Sequence, residues 1–248
     1  MRVLLLGGTA EARALAAALV EDGLDVTSSL AGRVSRPRMP AGTTRVGGFG
    51  GADGLAAALE EYDVLVDATH PFAATISASA ARAAVARGVP LLRLSRPGWA
   101  GLPEAARWTW VDDHEQAARA AAGRGTVFLT TGRQTLDRFV PALREATVLV
   151  RVVDPLDHPV PPGWTVLTVR GPYERDAERE LMREHGVDVL VTKDSGGELT
   201  RAKLDAAGDL GVAVVVVRRP PAPEGVPEVS DVAGVLAWLR ERRPAAPR

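Results

Sequence analysis

The chain contains no cysteine among its 248 residues. That absence excludes disulfides, thiolate catalysis, iron–sulfur clusters and cysteine-ligated zinc together, and it suits a cytosolic protein. No apolar run approaches the ~18 residues of a membrane span; Val212–Val217 is typical of the longest candidates. The apolar segment at the start, Val3-Leu4-Leu5-Leu6, is stopped by Gly7 and is too short for a signal peptide. Excess charge of either sign is missing as well: 30 basic against 31 acidic residues leave a net charge of -1, which argues against a protein held to nucleic acid by its overall field. Lysine is nearly absent, since only Lys193 and Lys203 stand beside 28 arginines. No two of His70, His114, His158 and His185 are close in sequence, and His114-Glu115 has no second histidine four positions on, so a helical zinc-protease motif fails.

What is present is an ordinary globular composition, 46% hydrophobic and 25% charged, which excludes intrinsic disorder. Short β-branched runs alternate with alanine-rich stretches, the pattern of an α/β fold built on parallel sheets. Strands are expected at 3–6, 25–30, 44–46, 64–67, 91–94, 108–111, 126–129, 147–153, 165–169, 187–191 and 212–217. Helices are expected at 10–21, 52–61, 73–87, 114–122, 134–138, 175–185, 198–210 and 232–242. Eleven strands exceed one small doubly wound sheet, so the reading is two domains, 1–98 and 99–242, joined near the Pro- and Gly-rich stretch 97–106, with a frayed tail at 243–248. Trp99, Trp108, Trp110 and Trp164 read as packing residues.

Parallel sheets bind ligands beyond the carboxyl ends of their strands, and several of these junctions are unusual. Gly7-Gly8-Thr9-Ala10-Glu11-Ala12 follows the first strand. It is a degenerate form of the dinucleotide fingerprint, with small residues that let a pyrophosphate approach a helix N-terminus; a plain strand-to-helix turn is the other reading. The second strand ends Ser28-Ser29-Leu30-Ala31-Gly32-Arg33 with no acid for ribose hydroxyls, which favours NADP(H) over NAD(H) if a dinucleotide binds. Arg33, Arg36 and Arg38 form a basic loop, either anion-binding or simply solvated. Gly47-Gly48-Phe49-Gly50-Gly51 packs four glycines around one aromatic before a helix. Asp67-Ala68-Thr69-His70-Pro71 follows the strand at 64–67, with Thr69 or His70 placed to cap the next helix and Asp67 to orient its neighbours.

These blocks together resemble the precorrin-6A reductase family of cobalamin biosynthesis. The resemblance continues in order through Thr130-Thr131-Gly132-Arg133, Arg151-Val152-Val153-Asp154-Pro155, Gly171-Pro172-Tyr173, Thr192-Lys193-Asp194-Ser195-Gly196-Gly197 and Arg218-Arg219-Pro220, nearly the whole chain. Tyr173 departs from the phenylalanine expected in many relatives. The resemblance implies two Rossmann-like domains, parallel sheets flanked by helices with an active site in the interdomain cleft. It also implies NADPH-dependent reduction of the C18–C19 double bond of precorrin-6A to precorrin-6B, an oxidoreductase acting on a CH–CH bond. A cobalt-containing substrate, or a non-catalytic NADP- or tetrapyrrole-binding regulator, are the alternatives.

On that reading Gly7, Gly8, Thr9, Glu11, Ser29, Arg33, Gly48 and Thr69 hold NADPH. Arg36, Arg38, Thr131, Gly132, Arg133, Tyr173, Lys193 and Ser195 meet the carboxylates of an anionic tetrapyrrole, for which arginine forks and free N–H groups suit. His70 and Lys193 are the catalytic candidates for supplying a proton, with Tyr173 or bound water as further sources. No metal, nucleic acid or membrane partner is expected, and the protein is expected to be cytoplasmic and to work as a monomer or weak homodimer.

Overall fold

A computed structural model of the chain describes residues 1–32 and 38–243. Two compact units emerge, Met1–Arg96 with Pro220–Arg248, and Pro97–Arg219. The end of the chain does not follow the expectation of a second domain running to residue 242, because Pro220 onward returns to the first unit.

In the first unit, strands β1 (Arg2–Leu6), β2 (Asp25–Leu30), β3 (Thr43–Val46), β4 (Val64–Asp67) and β5 (Leu91–Leu94) form a parallel sheet with the late strand β12 (Glu228–Val229), in the order β12-β5-β4-β1-β2-β3. That is the doubly wound order, which reverses between β1 and β4. Alternation along β1 explains the layers. Val3 and Leu5 pack with Leu15 and Leu19 of α1 (Ala10–Glu21) and with Val235 and Leu239 of α8 (Val232–Arg240). Leu4 and Leu6 face the other way, onto Leu55 of α2 (Ala52–Ala58) and Ala80 and Ala83 of α3 (Ala74–Arg87). Each such leucine contributes roughly 1.5–3 kcal/mol by leaving water. Burial of Val235 and Leu239 is the physical reason that the C-terminal segment belongs here. Arg243, expected in the frayed tail, donates to the Asp22 carbonyl at 2.8 Å and to its Oδ2 at 2.9 Å.

The second unit has the same plan. β6 (Thr109–Val111), β7 (Thr126–Leu129), β8 (Val148–Val152), β9 (Trp164–Thr168), β10 (Val187–Lys193) and β11 (Ala213–Val217) lie parallel in the order β6-β11-β10-β7-β8-β9, reversing between β7 and β10. One face buries Phe128, Leu149, Leu190 and Val216 with Met182 of α6 (Arg175–Glu184) and Leu204 of α7 (Ala202–Leu210). On the other face lies α4 (His114–Ala121), in contact with β10 and β11. The helix expected at 134–138 is instead a 3-10 helix, Arg133–Arg138, followed by the four-residue α5, Val140–Leu143. Pro141 has no N–H to continue an α-helical ladder from the preceding turn. Trp99 and Trp164 are buried, while Trp108 and Trp110 are only partly covered. No helix among the described residues is long and apolar enough to cross a membrane.

Candidate functional site

In each unit the strand order reverses beside junctions that the sequence marks out. In the first unit these are the segments after β1 and β4. The β1–α1 turn is held by the Gly7 amide, which donates to the Ser29 carbonyl at 3.0 Å. Gly8 has φ +114, a value that favours glycine, and a side chain there would meet open space. Thr9 caps α1: its Oγ1 accepts from the Ala12 amide at 3.0 Å and donates to the Ala68 carbonyl at 3.0 Å. That hydroxyl therefore ties the β1 junction to the β4 junction. Glu11, in the first turn of α1, pairs with Arg96 at 2.5 Å.

After β4, Asp67 is 2% exposed. It accepts from the Thr69 amide at 3.1 Å, from Thr69 Oγ1 at 2.7 Å and from Ser77 Oγ at 2.6 Å. Arg93, also buried, lies 3.8 Å from the same carboxylate and reaches Glu228 of β12 at 2.8 Å. Neither Thr69 nor His70 caps α3, contrary to expectation. Ala73 occupies the cap position without a side-chain bond, because Thr69 is committed to Asp67 and the His70 Nδ1 accepts from the Phe72 amide at 3.2 Å. That bond leaves Nε2 as the protonated nitrogen of the neutral ring.

At the ends of β2 and β3, Ser29 stands beside Arg45 in the ladder. Arg45 donates through Nη1 to Ser29 Oγ at 2.9 Å and to the Gly47 carbonyl at 3.4 Å, and through Nη2 to the Gly48 carbonyl at 3.4 Å. Its guanidinium lies 3.7 Å from the Phe49 ring centroid. Of the basic loop, Arg33 and Arg36 lie outside the described residues, and Arg38 is exposed coil.

In the second unit the junctions follow β7 and β10. Thr130 bonds back to the Val191 carbonyl through its amide at 3.0 Å and its hydroxyl at 3.1 Å. Thr131 is buried, and its Oγ1 accepts from Thr135 Oγ1 at 3.2 Å. The Thr135 hydroxyl also reaches the Gly132 carbonyl at 3.3 Å. Arg133 reaches the Pro155 carbonyl at 3.4 Å and lies 3.9 Å from Asp157.

Lys193 is the last residue of β10, and burial pushes its ammonium down to about 8. Near it stands His114, at the start of α4. Burial first, then the charges of Lys193 and Arg138, hold its imidazole down to about 4. Ser195 is buried after a tight turn in which its amide donates to the Lys193 carbonyl at 2.6 Å. Asp194 between them accepts from the Trp99 amide at 2.9 Å and lies 3.5 Å from Arg219.

Tyr173 lies over Arg151, ring centroid to guanidinium 3.9 Å, and its hydroxyl donates to the Val169 carbonyl at 3.0 Å. Arg151 is itself buried and ion-paired to buried Glu178. The sequence reading did not assign site roles to Arg45, His114, Arg151 or Asp194. Arg151 and Asp194 stand inside sequence blocks already marked out; Arg45 and His114 become neighbours of the candidate residues through strand pairing and packing.

Among the described residues no cluster of three or more His, Asp and Glu side chains is arranged to hold a metal ion. The profile of the family described as precorrin-6x reductase CbiJ/CobK matches residues 2–240. A precorrin-6A reductase of Rhodococcus erythropolis is 52% identical over 242 residues, covering 96% of this chain and 97% of the relative. A precorrin-6A reductase of Mycobacterium tuberculosis is 47% identical over 241 residues, covering 96% and 97%. A solved CobK precorrin-6A reductase superposes with a TM-score of 0.90 at 39% identity, over 100% of this chain and 99% of that one. With its two doubly wound sheets and a match spanning almost every residue, the chain belongs to the precorrin-6x reductase CbiJ/CobK family.

Proposed function

We propose that this chain reduces precorrin-6A to precorrin-6B at the C18–C19 bond with NADPH as donor, as a cytoplasmic step of cobalamin biosynthesis. The observation that carries the reading is the near-complete match to precorrin-6A reductases. Local chemistry supports the cofactor: β2 ends in serines beside an arginine, not in the acid that NAD-linked enzymes offer to the ribose.

In this reading the first unit holds NADPH. Gly7, Gly8, Thr9 and Glu11 receive the pyrophosphate through backbone at the N-terminus of α1. Ser29 and Arg33 serve the adenosine ribose, and Gly48 and Thr69 flank the cofactor. The bound nicotinamide supplies the hydride. The chain's own contribution is to orient the reactants and deliver a proton.

Lys193 is the proton donor on this proposal: with burial lowering it to about 8, it is still charged near neutral pH yet gives its proton more readily than an ordinary lysine. His70, at the end of β4 with its Nδ1 accepting from the Phe72 amide, is the second candidate for the proton step. Thr131, Gly132, Arg133, Tyr173 and Ser195 of the second unit, with Arg36 and Arg38 of the first, receive the carboxylates of the tetrapyrrole.

The test is turnover by the purified chain, followed by loss of reduced-nicotinamide absorbance. Oxidation of NADPH only when precorrin-6A is added is the expected result, with the cobalt-containing analogue run beside it. Absence of turnover with either macrocycle would overturn the proposal.

A further inference from the structure

Among the described residues Arg45 meets no carboxylate, and every partner of its guanidinium is neutral: the Ser29 hydroxyl, the Gly47 and Gly48 carbonyls and the Phe49 ring. Three other arginines of the same unit are compensated, while Arg13 of α1 donates to the neutral Thr9 carbonyl. Arg93 meets Asp67 and Glu228, Arg96 meets Glu11, and Arg87 meets Glu60. The neutral partners nonetheless fix the group firmly, since two carbonyls, a hydroxyl and a ring face restrict a side chain that would otherwise sample many rotamers.

The place is informative. The Gly7 amide binds the Ser29 carbonyl and the Ser29 hydroxyl binds Arg45, so a continuous set of contacts runs from the β1–α1 turn across β2 to β3. Two strand spacings of about 4.8 Å separate the turn from Arg45. A dinucleotide with its pyrophosphate at that turn brings its adenosine ribose over the end of β2, where an arginine can accommodate a 2′-phosphate.

We infer that Arg45 is the specificity-determining residue for the 2′-phosphate of the cofactor, with Ser29 fixing one edge of its guanidinium and Phe49 supporting its face. The inference rests on the reading of the first unit as the NADPH site, and goes beyond it in naming the group that separates NADPH from NADH. Arg45 then carries the discrimination, because its backbone is fixed by strand pairing and its guanidinium by Ser29, Gly47, Gly48 and Phe49 before any ligand arrives.

The experiment compares equilibrium affinities of wild-type, Arg45→Ala, Arg45→Gln and Arg45→Lys proteins for NADPH, NADH, adenosine 2′,5′-bisphosphate and adenosine 5′-monophosphate, with circular dichroism and melting to verify the fold of each. A charge-assisted bond of this kind corresponds to about ten- to a hundredfold in affinity. Arg45→Ala and Arg45→Gln should lose that factor for NADPH and the bisphosphate, and stay within about twofold of wild type for NADH and the monophosphate. Arg45→Lys should retain most NADPH affinity. The inference is overturned if both dinucleotides weaken equally, which would make Arg45 a tether for the glycine-rich loop, or if neither changes while wild type still prefers NADPH. Should wild type bind no dinucleotide, the NADPH reading fails and this inference fails with it.

Discussion

Asp67 holds Thr69 twice, accepting from its amide at 3.1 Å and from its hydroxyl at 2.7 Å. The same carboxylate takes the Ser77 hydroxyl and lies beside Arg93, which is itself anchored to Glu228 of the returning C-terminal segment. The conformation of the junction after β4 is thus set by a buried charge with several donors, and through Arg93 it depends on a strand added from the far end of the chain.

Replacing Asp67 with asparagine keeps the shape but substitutes two N–H donors for one acceptor. At least one donor now facing the carboxylate then loses its partner, and Arg93 loses part of its compensation. The expected cost is about 1–3 kcal/mol of stability, read from urea unfolding, together with weaker cofactor binding by the Thr69 loop. An unchanged midpoint would show that the network does not hold the junction.

Gly98 lies where a β-carbon would be 2.5 Å from Asp194 Oδ2, in a contact fixed by the Trp99 amide on the same carboxylate. Gly98→Ala should destabilise the chain by about 1–3 kcal/mol. Combining it with Asp194→Ala should give less than the sum of the two single effects, since the clash disappears with the carboxylate. Strict additivity in a double-mutant cycle would refute the contact.

The proposed role of Lys193 as proton donor predicts a limit on the alkaline side of activity. Its ordinary value is 10.5, and burial brings it to about 8 in the folded chain. If its ammonium protonates the carbon left electron-rich by hydride addition, kcat falls as pH rises through about 8. Burial disfavours the charged form, so the penalty it imposes on folding is complete below about 8 and is relieved between there and 10.5. A pH profile of Lys193→Gln that keeps the same alkaline limb would remove this residue from the proton step.

His114 acts on the acid side. Its folded value of about 4 lies under the ordinary 6.5, so the unfolded chain takes up the proton first. The histidine's contribution to stability is complete above 6.5 and is lost as pH falls toward 4. His114→Phe should flatten the decline in melting temperature over that window. A variant with the wild-type slope would place the acid sensitivity elsewhere.

Local pattern alone was enough for the parallel α/β plan. The alternation of β-branched runs with alanine-rich helices survives into two sheets because strands covered on both faces need apolar residues throughout, and this is visible residue by residue in Val3-Leu4-Leu5-Leu6. The junctions at Gly7, Asp67, Thr130 and Lys193 could also be read from sequence, since glycine and polar residues interrupt such runs only where the chain turns.

Tertiary structure decided what depends on partners distant in sequence. β12 has two residues, too few to carry a periodic signal, and joins the first sheet only through its pairing with Arg93 and Leu94. Arg45 meets Ser29 through parallel register, and His114 meets Lys193 through the packing of α4 beside β10. Spacing along a chain fixes which face a residue presents, but register and packing fix which charge it meets. For this protein the fold and family were therefore in the sequence, while the electrostatics of the candidate site were not.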